Sequence, residues 1–367
     1  MAETKSWASV LRWAVGGWRA SILILLPGAV ALEYMHQHPV LVFGVAALSL
    51  VPLASLLGEA TEELAGHVGS GVGGFLNATL GNAAELIIAF LALRSGHTEV
   101  VKASITGSII GNLLLVFGAA VLIGGMGREK QTFNRTAVGA NTSMLFLAVV
   151  ALVMPALFEL AVFGKLEEHG EVIERLSFWT AAVLLVSYFA SLIFTFRTHK
   201  DVFRGGGHLH VPQLGRATAI AVLVGATLLI VVASEILVSQ LEFVTKSLGW
   251  TELFVGLVIV AIVGNAAEHS TAIMMARKDK MDLALNIAVG SSTQVALFVA
   301  PLLVVVSQLM PSHMSLVFHP LEIAAVIFSV GIVILIGQDG ETNWFEGLQL
   351  LSVYAILAVF IFFLPGA

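Results

Sequence analysis

The pentapeptide Gly-Asn-Ala-Ala-Glu occurs twice in the chain, at residues 81–85 and again at residues 264–268. A Gly-Ser pair follows each copy at the same distance, as Gly107-Ser108 and as Gly290-Ser291. Pentapeptides and pairs share one offset of 183 positions, from 81 to 264 and from 107 to 290. Matches at a fixed offset indicate an internal duplication, so the fold is predicted to contain two related halves.

Two further correspondences extend the duplication. Arg94 and Arg277 obey the same offset. Upstream, Ala60-Thr61-Glu62 is echoed by Ala233-Ser234-Glu235, although this weaker match requires a ten-residue gap. Glu62 and Glu235 are therefore candidate equivalents outside the main motif.

The composition is that of a membrane protein. Of 367 residues, 58% are hydrophobic and 11% are charged, whereas roughly 25% are charged in soluble domains. The mean hydropathy of +0.95 excludes a water-soluble core with a solvated surface. The chain has no cysteine, which excludes disulfides, thiol catalysis and thiolate metal ligands. Any metal site must use oxygen or histidine ligands.

Apolar stretches that could cross a hydrocarbon core of about 30 Å set the predicted architecture. We predict an all-α integral membrane protein of about eleven transmembrane helices. An N-terminal tail and an extra first helix (1–36) precede a five-helix repeat (37–196), a cytoplasmic loop (197–214) and a second five-helix repeat (215–367). The predicted spans are 20–35, 39–57, 69–94, 99–124, 138–158, 176–196, 216–238, 252–277, 283–309, 321–337 and 344–364.

Basic residues predict the orientation, because cytoplasmic loops are enriched in lysine and arginine. With a cytoplasmic N-terminus, 13 basic residues lie inside: Lys5, Arg12, Arg19, Arg128, Lys130, Arg135, Arg197, Lys200, Arg204, Arg216, Arg277, Lys278 and Lys280. The 5 on the outside are Arg94, Lys102, Lys165, Arg175 and Lys246. The two motifs start in the third and eighth helices, so the halves are predicted to have inverted topology, a feature of secondary transporters.

Each motif places a carboxylate, Glu85 or Glu268, in the middle third of a membrane helix. A charged residue there costs at least about 2.5–3.5 kcal/mol, and no lysine or arginine lies at a similar depth in the sequence to compensate it. If the halves bring the two carboxylates within roughly 6 Å, they repel by about 3 kcal/mol at an effective dielectric constant of about 20. We expect protons and a divalent cation to compete for this pair, as an antiporter requires.

The residues near the glutamates suit a hard cation. Amide and hydroxyl groups recur at helical spacing beside the glutamates and on the following helices, at Asn82, Asn265, Ser108, Asn112, Ser291 and Gln294. Gly81 and Gly264 allow local unwinding, which would free backbone carbonyls for coordination. An all-oxygen set of ligands favours Ca²⁺ over Zn²⁺ or copper.

At these residues the sequence resembles the calcium/cation–proton exchanger family of the cation/calcium exchanger superfamily. The resemblance lies in LNATLGNAAELIIAFLALRSG (76–96), TGSIIGNLLLVFG (106–118), SYFASLIFTFRTH (187–199) and GNAAEHSTAIMMARKDKMDLALNIAVGSSTQVALFVAP (264–301). The sodium–calcium branch usually has Thr-Ser after the motif glycine, where this chain has Asn-Ala, so the proton-coupled branch fits better. Many relatives carry an acidic stretch between the halves, whereas Asp201 is the only acid in 197–214.

The resemblance implies Ca²⁺/H⁺ exchange by alternating access, with Glu85 and Glu268 as shared Ca²⁺ and H⁺ ligands. It implies supporting roles for Ser291 and Gln294, peripheral cavity positions for Glu62 and Glu235, and a histidine, His269, after the second motif. His269 is a possible proton relay or a packing residue. The expected partners are the bilayer, Ca²⁺ and H⁺, with no nucleic acid and no cofactor. The expected location is a prokaryotic cytoplasmic membrane with the C-terminus outside, a vacuolar-type membrane being the alternative.

Three other functions compete with this hypothesis. A Na⁺(K⁺)/H⁺ antiporter could use the same carboxylates, and the sequence separates it poorly from a Ca²⁺ exchanger. An intramembrane hydrolase would need a motif such as His-Glu-x-x-His, which the sequence lacks. Inverted repeats favour a carrier over a channel. The protein is therefore predicted to be a transporter and not an enzyme.

Overall fold

The computed structural model describes residues 7–68, 70–164, 170–199 and 212–364. The helices are α1 (Trp7–Ala14), α2 (Ile22–Tyr34), α3 (Pro39–Val68), α4 (Ser70–Leu80), α5 (Ala83–Arg94), α6 (Thr98–Gly125), α7 (Arg135–Phe163), α8 (Gly170–Thr198), α9 (Arg216–Ser239), α10 (Leu241–Leu248), α11 (252–277), α12 (Met281–Ser307), α13 (Pro320–Ile336) and α14 (Trp344–Phe362). A 3₁₀ turn, Gly17–Ser21, precedes α2. Two short strands, β1 (Gln131–Thr132) and β2 (Glu341–Thr342), pair antiparallel, with Gln131 opposite Thr342.

A helix lies at each of the eleven stretches predicted to cross the membrane, and the all-α membrane fold is confirmed. Within the described residues, seven helices are long and apolar enough to span a bilayer, or nine if each of two bent helix pairs is one span. The apolar helix α13 has only 17 residues and α2 only 13. Most of the predicted loop between the halves, residues 200–211, lies outside the described residues.

Two details of the predicted spans differ in the structure. The stretch 69–94 is a broken helix, in which α4 and α5 meet at Gly81-Asn82 with a bend of 41°. The short helix α10 was not predicted; its axis turns by 116° relative to the start of α11. Its eight residues are amphipathic rather than uniformly apolar, so they lack the hydropathy that identified the spans.

The centre of the bundle is formed by α6 and α12, the helices that follow the two motifs. In their most apolar windows, 78% and 67% of the residues are buried, against 22% for α8 and 17% for α14. The peripheral helices expose large apolar side chains such as Trp179, Val186 and Phe360. A helix that is apolar on its outward face needs a lipid environment, so α8 and α14 lie at the bilayer boundary.

Glycines allow α6 and α11 to approach closely. A Cβ atom on Gly107 would lie 2.6 Å from the Cα atom of Leu257, and one on Gly256 would lie 2.6 Å from the Cβ atom of Ala103. Helices in lipid have no hydrophobic driving force for association. Small residues at such crossings let the backbones approach, so that close packing stabilises the contact. The contact joins a helix of the first half to a helix of the second half, which positions the two motifs against each other.

Polar contacts at one end of the bundle join loops that the basic residues predict to be cytoplasmic; we call it the inner end. Lys130 lies 2.7 Å from Glu341, and Arg128 lies 3.6 Å from Asp279. The hydrogen bond to Glu341 raises the pKa of Lys130, so this ammonium stays charged throughout the physiological range.

The opposite end, here called the outer end, has its own contacts. Arg94 lies 3.4 Å from Glu235, and His97 lies 3.5 Å from Glu252. Each pair joins helix ends that the predicted alternation of spans places on the same side. The side-chain contacts of the described residues therefore agree with the predicted alternation, while the assignment of the inner end to the cytoplasm remains a prediction.

Candidate ion site in the membrane

A cavity of about 640 Å³ reaches from the inner end to both motif glutamates. Its walls come from α3, the α4–α5 break, α11 and α12. The lining residues are Trp13, Ala54, Ser55, Gly58, Glu59, Glu62, Glu63, Asn77, Gly81, Ala84, Glu85, Gln213, Gly264, Glu268, Thr271, Met275, Leu283, Asn286, Ile287, Ser291 and Gln294. The residues that line it include five glutamates and, within the described chain, no lysine or arginine. Such a cleft concentrates cations, because low-dielectric walls focus the field of its carboxylates.

Glu85 and Glu268 both line this cavity. When both carboxylates are charged, they repel in a medium of low dielectric constant. In each of them the Oε2 atom is buried and has no hydrogen-bond partner. Buried polar atoms are almost always satisfied in folded proteins, so two unsatisfied carboxylate oxygens at one cavity indicate a place for protons or a cation.

The backbone of α11 holds Glu85 from one side. A Cβ atom on Gly264 would lie 3.2 Å from Cγ of Glu85 and 3.8 Å from its Cδ. Gly264 was predicted to permit unwinding, but α11 is continuous from Ala261 to Arg277, so that prediction is wrong for this conformation. The glycine instead leaves room for the side chain of Glu85.

The first motif glycine does interrupt its helix, as predicted. Gly81 and Asn82 form a turn between α4 and α5. In a continuous helix the carbonyl of Ala78 would accept from the amide of Asn82; here the hydroxyl of Tyr188 donates to that carbonyl at 3.0 Å. The freed carbonyl is thus satisfied by α8, which stabilises the break beside Glu85.

The two motif asparagines bind across the halves in a reciprocal pattern. Asn82 donates from Nδ2 to Oε1 of Gln294 at 2.5 Å and accepts from the hydroxyl of Ser291 at 3.1 Å. Asn265 donates from Nδ2 to the hydroxyl of Ser108 at 3.0 Å and accepts from Nδ2 of Asn112 at 3.2 Å. Each motif asparagine therefore contacts the Ser-containing helix of the other half.

This network orients the site more than it stabilises the fold. Hydrogen bonds between membrane helices contribute on average about 0.6 kcal/mol each. The four bonds nevertheless fix α5 to α12 and α11 to α6. Both asparagine side chains are almost fully buried, so they hold the helices that carry Glu85 and Glu268 in one register.

Two backbone irregularities follow the same symmetry. A π-helical segment, Gly111–Val116, follows Ser108 in α6, and another, Val295–Val299, follows Ser291 in α12. Single π-helical turns are frequent at functional sites, because they change the direction in which nearby side chains point. A third segment, Val255–Val260, precedes the second motif in α11.

Most of the predicted site residues divide into two groups. The first group lines the cavity and consists of Glu85, Glu268, Gly81, Gly264, Ser291, Gln294 and Glu62. The second group lies behind the cavity in the hydrogen-bond network and consists of Asn82, Asn265, Ser108 and Asn112. His269 is not among the residues that line the cavity. Glu235 is on the opposite side of the glutamates, at the outer end, where it pairs with Arg94.

Two acids of the cavity wall were not predicted as site residues. Glu59 is paired with Arg19 at 2.6 Å, and the same guanidinium donates to the carbonyl of Trp13. Glu63 accepts the backbone amides of Gln213 and Leu214 at 2.8 and 2.7 Å. These two carboxylates attach the N-terminal segment and the end of the loop between the halves to α3.

Five polar residues of the cavity were also missed: Ser55, Asn77, Gln213, Thr271 and Asn286. Thr271 lies one helical turn after Glu268, and Asn77 lies one turn before Gly81, so helical spacing could have identified both. Asn286 accepts a hydrogen bond from Asn141 of α7 at 3.3 Å. Its place in the cavity depends on packing between distant helices, which the sequence pattern does not show.

Replacing Gly264 by alanine is expected to impair ion binding without unfolding the protein. The new methyl group would force Glu85 to shift by a few tenths of an ångström, because 3.2 Å is too short for comfortable contact. Displacing a side chain from its rotamer costs about 1 kcal/mol, or roughly a fivefold rise in the KM for the transported cation. Transport kinetics in proteoliposomes would measure this rise in KM.

Gly225→Ala is the matched control, since a Cβ atom there meets nothing within 4 Å. It should leave KM unchanged. An unchanged KM for Gly264→Ala as well would contradict the close contact between α11 and Glu85.

Comparison with known proteins agrees with this fold. The family model described as sodium/calcium exchanger protein matches residues 38–197 and 218–363. The chain is 43% identical over 362 residues to a Ca²⁺/H⁺ antiporter of Synechocystis sp., covering 94% of this chain and 96% of that protein. It is 41% identical over 345 residues to the Ca²⁺/H⁺ antiporter ChaA of Bacillus subtilis, covering 92% and 97%.

A solved structure shows the same architecture. The native YfkE structure superimposes with a TM-score of 0.81 at 40% sequence identity, covering 94% of this chain and all of that one. The chain therefore belongs to the sodium/calcium exchanger family, within its Ca²⁺/H⁺ antiporter branch. Membership of this family confirms the prediction of a multi-pass membrane transporter that is not an enzyme.

Proposed function

We propose that this protein exchanges Ca²⁺ for H⁺ across the membrane by alternating access, with Glu85 and Glu268 as the shared site. The observation that carries the proposal is the pair of buried, unsatisfied Oε2 atoms at the end of one acidic cavity. The names of relatives at 41–43% identity over almost the whole chain support Ca²⁺ and H⁺ as the substrates.

The exchange follows from competition for the two carboxylates. When both are charged and no ion is bound, they repel each other in a medium of low dielectric constant, so protons bind to the empty site. A Ca²⁺ ion supplies two positive charges and takes oxygen ligands. It removes the repulsion and displaces the protons. Because one site holds either Ca²⁺ or protons, the two are transported in opposite directions.

Side-chain oxygens around the pair can complete the coordination. Ser291 and Gln294 line the cavity beside the carboxylates, and Ca²⁺ accepts six to eight oxygen ligands, water included. The hydrogen bonds to Asn82 fix the orientation of both groups. We propose that they act on the ion directly or through water, while the Asn265 network with Ser108 and Asn112 holds α11 in position.

The conformation described here is proposed to face the cytoplasm. The cavity reaches Glu59, Glu62 and Glu63 at the inner end, which the basic residues assign to the cytoplasmic side. The four units at 1–36, 37–196, 197–214 and 215–367 remain a proposal, in which the two repeats exchange roles when the cavity opens to the outside. The proposed location is a bacterial cytoplasmic membrane.

A pH gradient across proteoliposomes tests the function. With the gradient imposed, ⁴⁵Ca²⁺ is expected to accumulate in the compartment of lower pH, and a protonophore should abolish accumulation. Uptake that is independent of the gradient would contradict H⁺ coupling.

Cation competition tests selectivity in the same vesicles. Sr²⁺ is expected to inhibit ⁴⁵Ca²⁺ uptake strongly, because it has the charge and ligand preference of Ca²⁺. Na⁺ and K⁺ should inhibit only weakly, since one charge cannot offset two carboxylates. If Na⁺ or K⁺ competes as well as Sr²⁺ does, the protein is instead a monovalent cation/H⁺ antiporter that uses the same carboxylates.

A further inference from the structure

Two arginines occupy equivalent positions at the ends of the motif helices. Arg94 lies nine residues after Glu85 in the last turn of α5, and Arg277 lies nine residues after Glu268 in the last turn of α11. Nine residues of helix span about 13 Å, so neither guanidinium can be a ligand of an ion at the glutamates. They lie at opposite ends of the bundle.

At the outer end, Arg94 is paired. Its NH2 atom lies 3.4 Å from Oε1 of Glu235, near the C-terminal end of α9. The helices α5 and α9 pack against each other. This contact joins the two halves at the outer end, which the cavity does not reach.

The symmetry-related contact at the inner end, between Arg277 and Glu62, is not formed in this conformation. The equivalent helices, α11 and α3, also pack against each other, and Glu62 of α3 is the sequence counterpart of Glu235. Here, however, Ser55 and Glu62 of α3 and Met275 of α11 line the cavity. Within the described chain, the guanidinium of Arg277 forms no hydrogen bond or ion pair.

We propose that Arg94–Glu235 and Arg277–Glu62 are reciprocal gate pairs. The outer pair holds the outer side closed in the conformation described here. The inner pair forms when α3 and α11 close over the cavity, and the outer pair then separates. The arginines are positioning residues for transport, and this inference rests on alternating access in the proposed function.

The expected effect is moderate. Arg94 and Glu235 are more than half exposed, and exposed ion pairs contribute about 0.2–1 kcal/mol, equivalent to a change of roughly 1.4-fold to fivefold in the ratio of two conformations. The two substitutions should change the inward-facing population in opposite directions. Removing Arg94 should reduce the inward-facing population, and removing Arg277 should increase it.

The cysteine-free sequence permits a direct test of these populations. Ser55→Cys places a single thiol in the cavity, and a membrane-impermeant maleimide applied from the inner side labels it only when the cavity is open. Adding Arg94→Gln is expected to slow labelling by roughly 1.4-fold to fivefold, and adding Arg277→Gln to accelerate it. The swap Arg94→Glu with Glu235→Arg should restore the original rate, and Arg94→Lys should preserve most of it.

Labelling needs neither Ca²⁺ nor a pH gradient, so it separates this inference from the proposed function. Opposite changes in labelling support the gates even if ⁴⁵Ca²⁺ uptake is absent. Equal labelling in both variants, or a change of the same sign, overturns the gates even if Ca²⁺/H⁺ exchange is confirmed. Failure of the charge swap to restore the rate would show that Arg94 acts without Glu235, which also overturns the pairing.

Discussion

Replacing either Glu85 or Glu268 by glutamine is expected to abolish Ca²⁺ uptake driven by a pH gradient. Glutamine keeps the size of the side chain but loses the charge that binds Ca²⁺ and the proton that is exchanged for it. Breaking a buried pair of opposite charges, here a carboxylate and the bound Ca²⁺, costs about 3–5 kcal/mol, so the apparent affinity should fall by roughly a hundredfold or more. Initial rates of ⁴⁵Ca²⁺ uptake in proteoliposomes measure this loss.

The same substitutions should not unfold the protein. Each removes one of two like charges in the same cavity, and like charges repel at low dielectric constant, so thermal stability without Ca²⁺ should be unchanged or higher. Glu171→Gln is a suitable control, because Glu171 is exposed and, among the residues that the structure describes, pairs only with Arg175 four residues later. Normal uptake by Glu85→Gln or by Glu268→Gln, with Glu171→Gln as reference, would exclude the proposed site.

Replacing Gly107 by alanine is expected to prevent correct packing of the bundle. Its Cβ atom would lie 2.6 Å from the Cα atom of Leu257. A backbone cannot rotate away as a flexible side chain can, so α6 and α11 must separate. Overpacking of this kind costs about 3 kcal/mol, and the displaced helix carries Asn265 and Glu268. Thermal unfolding in detergent and the yield of monodisperse protein measure this effect.

The duplication supplies the control for Gly107. Gly290 holds the same place in the second repeat, yet a Cβ atom there meets nothing within 4 Å. Gly290→Ala should therefore be neutral or stabilising by up to about 1 kcal/mol, as expected for alanine in a helix. Equal destabilisation by both substitutions would show that the close approach of α6 to α11 is not what makes Gly107 necessary.

Much of the architecture could be predicted from the sequence. Hydropathy located a helix at each of eleven stretches, because long apolar runs are unambiguous in a membrane protein. The duplicated pentapeptide indicated that Glu85 and Glu268 are equivalent, and the structure brings both to one cavity. The role of these glutamates in ion exchange remains a proposal.

The backbone at the motifs could not be predicted, because identical pentapeptides adopt different structures. The helix breaks at Gly81 and continues through Gly264. The difference comes from distant residues: Tyr188 satisfies the carbonyl freed beside Gly81, and Glu85 occupies the space beside Gly264. Local sequence contains neither contact.

The hydrogen-bond partners of the motif asparagines could not be predicted from the sequence either. Spacing along a helix places Asn82 near Glu85, but its hydrogen bonds go to Ser291 and Gln294 of the other half. Likewise Glu62 and Glu235 were predicted to be equivalent cavity acids, yet only Glu62 lines the cavity here. A single conformation of two inverted repeats need not be symmetric, because one side is open while the other is closed.

The central claim is that Ca²⁺ and protons compete for Glu85 and Glu268. Proton release on Ca²⁺ binding tests it most directly, measured with a pH indicator on purified protein in weakly buffered detergent solution. Addition of Ca²⁺ is expected to release protons from the native protein, and Glu85→Gln together with Glu268→Gln should abolish both Ca²⁺ binding and release. Binding of Ca²⁺ without proton release, or unchanged release from the double variant, would contradict it.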